Sequence, residues 1–234
     1  MEDGRRDEQA GDWHLDRFQA LLFDMDGVIT DSMPHHCEAW QRIFERYGIL
    51  VSQEEILRRE GERGRVTLET ILSEQGRELS QDEIRKALED KEEIFRSLAS
   101  PTLFPGAERL VRTIRERGKK LALVTGTSGR EARGNLPADL LGCFDVLVSG
   151  DMVTAGKPHP EPYRMALHRL GVSPDESLVI ENAPYGIESA KRAGLRCIAV
   201  TTSLPAEYLR DADKIVRDLE ELRELLFGPP ASGV

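Results

Sequence analysis

The chain has 234 residues, 39% of them hydrophobic, enough to bury a core in one domain or in one domain with a small insertion. Its formal net charge of -10 excludes a general nucleic-acid binder, which needs a basic face to displace counterions from phosphates. Its three cysteines, Cys37, Cys143 and Cys197, are far apart and outside any C-x-x-C pattern, which argues against a disulfide framework or a zinc site and for a reducing cytoplasm.

The first 17 residues are polar and are expected to form a loose N-terminal tail. They lack the apolar run of a signal peptide, and no stretch approaches the ~20 apolar residues of a membrane span, so no membrane partner is expected. The first predicted element is the strand "ALLFD" at 20–24, an apolar run that opens onto "MDG". In extended chain, side chains two apart share a face, so Asp24 and Asp26 point into one site, and Gly27 permits a tight turn. Two carboxylates that close repel unless a cation holds them or one takes a proton. The pair therefore suits divalent metal binding or a division between nucleophile and acid/base. An Asp-rich, solvated strand end has the same local pattern.

From 33 to 101 the strand rhythm stops. Cys37, Trp40, Phe44 and Tyr47 fall at helical spacing, and "SQDE" at 80–83 forms a capping box before another helix. This interval is predicted as an all-helical insertion lying over the carboxyl ends of the strands, where ligands of open α/β folds bind, and it is read as a cap domain. The alternation then resumes. "PGAERLVRTIRERG" places Leu110, Val111 and Ile114 on one helical face and stops at Gly118. Strands follow at "KLALVT", "FDVLVS", "SLVIE" and "RCIAV", with "DKIV" as an edge strand, and the breaker-rich "GPPASGV" closes the chain as a second loose tail. The fold class is α/β: a Rossmann-like parallel sheet core of residues 18–32 and 102–228 with an inserted all-helical cap domain at 33–101. No nucleotide-binding glycine motif stands out, which weakens ATPase and dehydrogenase readings.

Three later strand ends carry further chemistry. Thr125, with the backbone N–H groups of Gly126 and Thr127, is placed to hold phosphoryl oxygens. Lys157, in a turn stiffened by Pro158, offsets the charge of the aspartates and of an anionic substrate. Glu181 supplies an acceptor to orient Lys157, and Asn182 an amide oxygen able to ligate Mg²⁺. Taken singly, each has a plain structural explanation: a strand threonine, a solvated lysine, a turn asparagine. Together, in the order D-x-D, T, K, E-N at successive strand ends, they are far more specific.

On these residues, and on "FDMDGVITDSMPHHCEAW", "GKPHPEPY" and "ENAPYGIESAKRAG", the chain resembles the haloacid dehalogenase superfamily over about residues 18 to 225. The resemblance is to the branch typified by β-phosphoglucomutase, with a helical cap after the first strand. It implies that Asp24 is the nucleophile, forming an aspartyl phosphate, and that Asp26 protonates the leaving oxygen and then activates water. It also implies Mg²⁺ on Asp24, the backbone carbonyl of Asp26 and Asn182, with Thr125 and Lys157 completing the phosphoryl cradle. Asn182 stands where the family usually has Asp, which gives up a charge at the metal.

In the cap, "RREGERGRVT" lies where the family carries its specificity loop. Glu60 is either an exposed helix-end glutamate or a carboxylate that reaches the metal on closure and leaves room only for pyrophosphate or a short phosphomonoester. Arg63 and Arg65 are candidates to grip a second anionic group or are simply solvated. His36, ten residues beyond Asp26, resembles a hinge histidine of the mutases that couples cap closure to the acid; a histidine on a helix face bonded to a carbonyl is the other reading. The expected function is Mg²⁺-dependent hydrolysis of a small phosphorylated metabolite or inorganic pyrophosphate by a monomer. A hexose-phosphate mutase is the alternative, and a non-catalytic binding protein is a third reading supported only by Asn182.

Overall fold

The computed structural model describes residues 13–98 and 102–228. Six strands, β1 (Ala20–Phe23), β2 (Lys120–Val124), β3 (Val146–Val148), β4 (Ser177–Glu181), β5 (Arg196–Val200) and β6 (Lys214–Val216), form one sheet in the order β3-β2-β1-β4-β5-β6. All neighbours are parallel, and the predicted runs supply all six, "DKIV" at the edge. A parallel sheet must be covered on both faces, which is why its strands read as apolar runs. Alternation sorts them: Leu21, Phe23, Leu123 and Ile180 pack on one face, Leu22, Val124 and Val179 on the other.

Helices α5 (Ala107–Glu116) and α10 (Leu219–Phe227) cover the first face through Leu110, Val111, Ile114, Leu222 and Leu226. Helices α8 (Glu161–Leu170) and α9 (Pro184–Arg192) cover the second through Tyr163, Ala166, Ile187 and Ala190. Two short helices, α6 (Gly129–Asn135) and α7 (Ala138–Leu141), lead from β2 to β3.

Between residues 33 and 98 the regular elements are four helices, α1 (Met33–Arg46), α2 (Gln53–Arg58), α3 (Gly64–Glu74) and α4 (Gln81–Leu98). They enclose a core of their own around Trp40, Phe44, Ile56, Leu68, Ile71 and Ile84. The predicted capping box is formed, with Glu83 N donating to Ser80 Oγ at 3.4 Å and Ser80 N to Glu83 Oε2 at 2.8 Å. The chain leaves and re-enters the sheet layer side by side: Asp31 N donates to Thr102 O at 2.8 Å and Phe104 N to Ile29 O at 3.0 Å. That pair of extended segments is the connection between cap and core.

The expected loose tail fails from Trp13 onward, while residues 1–12 and the closing 229–234 lie outside the described part. Leu15 and Phe18 are buried in the core on the first face of the sheet, and the Arg196 guanidinium lies 3.9 Å from the Trp13 ring centroid. The stretch looked polar because its few apolar residues are scattered, yet each finds the open flank of the first face. Leu15→Ala is expected to cost ~2–5 kcal/mol of stability, read as a lowered urea midpoint at unchanged m-value. A midpoint equal to the parent's would show that this segment contributes nothing to the core.

Candidate active site

The site is built by strand register. Phe23 of β1 pairs with Leu123 of β2 and Ile180 of β4, so the next residues of the three strands, Asp24, Val124 and Glu181, emerge side by side. Lys157, wholly buried, binds all three: Nζ donates to Asp24 Oδ1 at 2.5 Å, to Glu181 Oε1 at 2.6 Å and to Val124 O at 3.1 Å. Those bonds use the three ammonium hydrogens. Glu181 is held in turn by Tyr163 Oη at 2.8 Å and by the backbone N–H of Asn182 at 3.0 Å. Burial disfavours the Lys157 charge, but Asp24 and Glu181 outweigh it and move its pKa upward. For Asp24 burial dominates; Glu181 and Asp26 add to it, Lys157 opposes it, and the carboxyl stands well above the usual carboxylate range.

Asp26 occupies a different environment. Its Oδ1 accepts from Ser32 Oγ at 2.6 Å and faces His36 Nε2 at 3.3 Å, and its Oδ2 accepts from Thr125 Oγ1 at 3.2 Å. Burial raises its pKa, but the His36 charge, the hydrogen bonds from His36 and Ser32 and the Lys91 charge bring the balance below the ordinary value. Between the two aspartates and the next turn, Gly27 has φ +86°, and a Cβ there would strike the Asn182 amide and Ser203 Oγ. Only glycine lets that loop lie against Asn182. Asp31, the third acid of the motif, is exposed and is not part of the site.

The cap closes directly onto these residues. Gly126 faces the backbone of Gly61 so closely that a Cβ would lie 2.7 Å from Gly61 O. Glu60, just before it, is 7% exposed, and its Oε2 accepts from Asn182 Nδ2 at 2.8 Å. It is the site-facing carboxylate of the two readings, not an exposed helix end. Burial, with Asp24 next, pushes its carboxyl well above the ordinary value. The remaining oxygens of this pair, Glu60 Oε1 and Asn182 Oδ1, are buried without a hydrogen-bond partner.

Oxygen donors and excess negative charge suit a hard divalent cation, and Asp24, the Asp26 carbonyl and Asn182 Oδ1 fit such an ion. Among the described residues no three His, Cys, Asp or Glu side chains gather as a metal cluster, so carbonyl and amide oxygens would have to contribute.

Other candidates sit differently from their expected roles. The Thr127 N–H, expected to face phosphoryl oxygens, donates to Thr125 Oγ1 at 3.1 Å, because a threonine at a strand end readily closes a turn onto the N–H two residues on. Arg63 Nη1 donates to Thr154 O at 2.6 Å, so part of its guanidinium is engaged by a bond that spans cap and core, while the residue also lines the cavity. Arg65 pairs with Glu69 at 2.9 Å. His36 lines the cavity, but its ring is fixed between Asp26 and Lys91 Nζ, which lies 2.9 Å from Nδ1, and is stacked on Phe95 at 4.1 Å. Its contact with Asp26 is of the kind the hinge-histidine reading requires, and it is the acid, not the space for substrate, that the ring meets.

Ser32, Tyr163, Lys91, Ser203 and Glu131 complete the surroundings, and sequence reasoning missed all five. "TDS" after the aspartates could have drawn attention to Ser32; the others carry no local signal. Between cap and strand ends lies a partly open cavity of about 240 Å³.

Comparison with known proteins follows the same lines. The family model described as haloacid dehalogenase-like hydrolase matches residues 18–194. The phosphorylated carbohydrates phosphatase of Thermotoga maritima is 36% identical over 182 residues, 77% of this chain and 83% of that one. The validoxylamine A 7'-phosphate phosphatase of Streptomyces hygroscopicus is 33% identical over 223 residues, 91% of this chain and 99% of the other. The solved β-phosphoglucomutase of Clostridium difficile superposes with a TM-score of 0.76 at 26% identity, covering 88% of this chain and 98% of its own.

Proposed function

We propose, from the premise that this chain belongs to the haloacid dehalogenase-like hydrolase family, that it is a Mg²⁺-assisted phosphatase whose substrate is the monophosphate of a small sugar or polyol. The observation that carries this reading is the contrast between the aspartates: Asp24 bonded to a buried ammonium, Asp26 to hydroxyls and an imidazole.

Lys157 engages Asp24 Oδ1, leaving Oδ2 to attack phosphorus. As the Asp24–phosphorus bond forms, the bond to the leaving oxygen breaks and that oxygen takes a proton from Asp26. Asp26 must gain this proton as the anionic phosphoryl group enters, because in the free chain His36 and Ser32 favour its carboxylate. Asp26, then a carboxylate, takes a proton from water as the water oxygen attacks phosphorus, which releases phosphate and restores Asp24. Thr125, bonded to Asp26 Oδ2, keeps the acid beside the reacting group. Asp24, the Asp26 carbonyl and Asn182 would hold a divalent cation, which would supply positive charge against the phosphoryl oxygens. The same side chains serve a mutase, in which a sugar hydroxyl replaces water. The cap loop that contains Glu60 and Glu62 disfavours the bisphosphate such a reaction must hold.

A second reading, hydrolysis of pyrophosphate, is supported by Glu60, whose buried carboxylate beside Asn182 narrows the space over the phosphoryl position. Phosphate release from a panel of sugar monophosphates, polyol monophosphates and pyrophosphate, with and without Mg²⁺, tests both. Release from sugar or polyol monophosphates is the expected result. Isomer formation from a hexose 1-phosphate primed with its bisphosphate, without phosphate release, would replace hydrolase by mutase.

If pyrophosphate is turned over, Glu60→Gln is expected to lower that activity about tenfold and to improve the relative rate with bulkier monoesters, since a buried carboxylate repels anions with which it shares no cation. An unchanged specificity profile would remove Glu60 from the account.

A further inference from the structure

Of the carboxylates that line the cavity and take no part in the steps above, Glu62, Glu92, Glu131 and Asp151, Glu131 is the buried one. Glu131 stands in the first turn of α6, its backbone N–H bonded to Ser128 Oγ at 3.2 Å, and its side chain is 6% exposed and lines the cavity. Its Oε1 has no hydrogen-bond donor. The cations near it are Lys91 Nζ at 3.5 Å and His36 Nε2 at 3.9 Å, both beyond hydrogen-bond length. A buried carboxylate ordinarily has its lone pairs filled, so a buried oxygen without a donor, on a residue of the cavity wall, is an acceptor awaiting one.

His36 places that acceptor. The ring nitrogen 3.9 Å from Glu131 Oε1 is also the one 3.3 Å from Asp26 Oδ1. One nitrogen thus separates Glu131 from the group assigned to the leaving oxygen. With the leaving oxygen at Asp26, the part of the leaving group that this shared neighbour favours for Glu131 is the carbon next to the phosphorylated one or the carbon after that.

The donor cannot be replaced by a second phosphate. Arg59 bonds Glu74 at 3.1 Å, Arg63 the Thr154 carbonyl, Arg65 Glu69, and Lys91 the His36 ring, so each cation lining the cavity already has a partner. An anionic group brought against Glu131 would meet its repulsion, offset only in part by Lys91, whereas a neutral hydroxyl meets none.

We infer that Glu131 is a specificity-determining residue that accepts a hydrogen bond from a leaving-group hydroxyl close to the phosphorylated carbon, selecting hydroxylated monophosphates. The inference rests on the phosphatase reading above and deepens it.

Glycerol 1-phosphate and n-propyl phosphate form a matched pair: the same carbon chain with and without those hydroxyls. With Mg²⁺ present, the parent is expected to favour the glycerol ester in kcat/KM. Glu131→Ala is expected to reduce the ratio of the two kcat/KM values by about 10- to 100-fold, the discrimination that a hydrogen bond to a charged group supplies. Glu131→Gln, which keeps an acceptor oxygen and the side-chain shape, should recover part of it. Using the ratio cancels any general loss from releasing Lys91, and thermal melting verifies that both variants fold. Equal losses for the two esters would overturn the proposal and make Glu131 a tie between core and cap.

Calorimetric binding of the same pair to Asp24→Asn, with and without Glu131→Ala, needs no turnover. If the parent hydrolyses neither ester, an affinity ratio that collapses on loss of Glu131 leaves the subsite standing while the phosphatase reading falls. An affinity ratio unaffected by Glu131 overturns the subsite.

Discussion

Asp24→Asn is expected to abolish the phosphoenzyme and to cut turnover by ~10⁴-fold or more, the order of loss that follows removal of a nucleophile acting together with its neighbours. Asparagine preserves size but offers no anionic oxygen. Its amide also cannot replace the carboxylate that meets Lys157 at 2.5 Å. Asp26→Asn is expected to fail differently. The nucleophile remains, while protonation of the leaving oxygen and activation of water are impaired by about 10²- to 10⁴-fold per step. The loss should be smallest for activated esters such as aryl phosphates, whose leaving oxygens need no proton, so a phosphoenzyme should form from them and persist. Rapid quench with labelled substrate distinguishes the two variants. Near-normal turnover in Asp24→Asn would remove the covalent route altogether.

Lys157→Met carries the largest expected effect on the fold and is also expected to impair activity. Methionine approximates the lysine stem, so little volume is lost, but Asp24 and Glu181, 2% and 1% exposed, would remain as buried carboxylates without their shared cation. Breaking a buried pair by removing one partner costs ~3–5 kcal/mol. In a chain of this length that corresponds to a fall of roughly 10 °C in the melting midpoint. Adding Glu181→Gln removes one uncompensated charge and should restore part of the stability but none of the activity. That split separates the structural share of Lys157 from its share in the chemistry. An unchanged melting midpoint in Lys157→Met would show that water or protonation of the carboxylates compensates the loss.

The strand side of this molecule is legible in the sequence because its geometry is periodic. Apolar runs of four or five residues mark strands buried on both faces, and parallel register then places their ends in a row, so Asp24, Thr125 and Glu181 meet although 101 and 56 residues separate them in turn. The helical interval after β1 and the Ser80–Glu83 box are equally local: one needs a 3.6-residue period, the other a side chain reaching three residues.

The cap side obeys no such rule. Glu60 meets Asn182 across 122 residues, Lys91 meets His36 across 55 and Arg63 meets Thr154 across 91. These contacts depend on how the helical layer seats on the strand ends, a placement governed by the approach of Gly61 to Gly126 and by packing within each layer. No residue period encodes that docking. From the sequence, Glu60 has an exposed and a buried reading, Arg63 a free and a bound one, and Glu131 carries no mark at all. Trp13 and Leu15 are missed for the same reason, since isolated apolar residues announce a core only where the tertiary fold leaves one open. Residue type and chain order determined the chemistry available at the strand ends; the docking of cap on core alone decided which charges are left to meet the rest of the substrate.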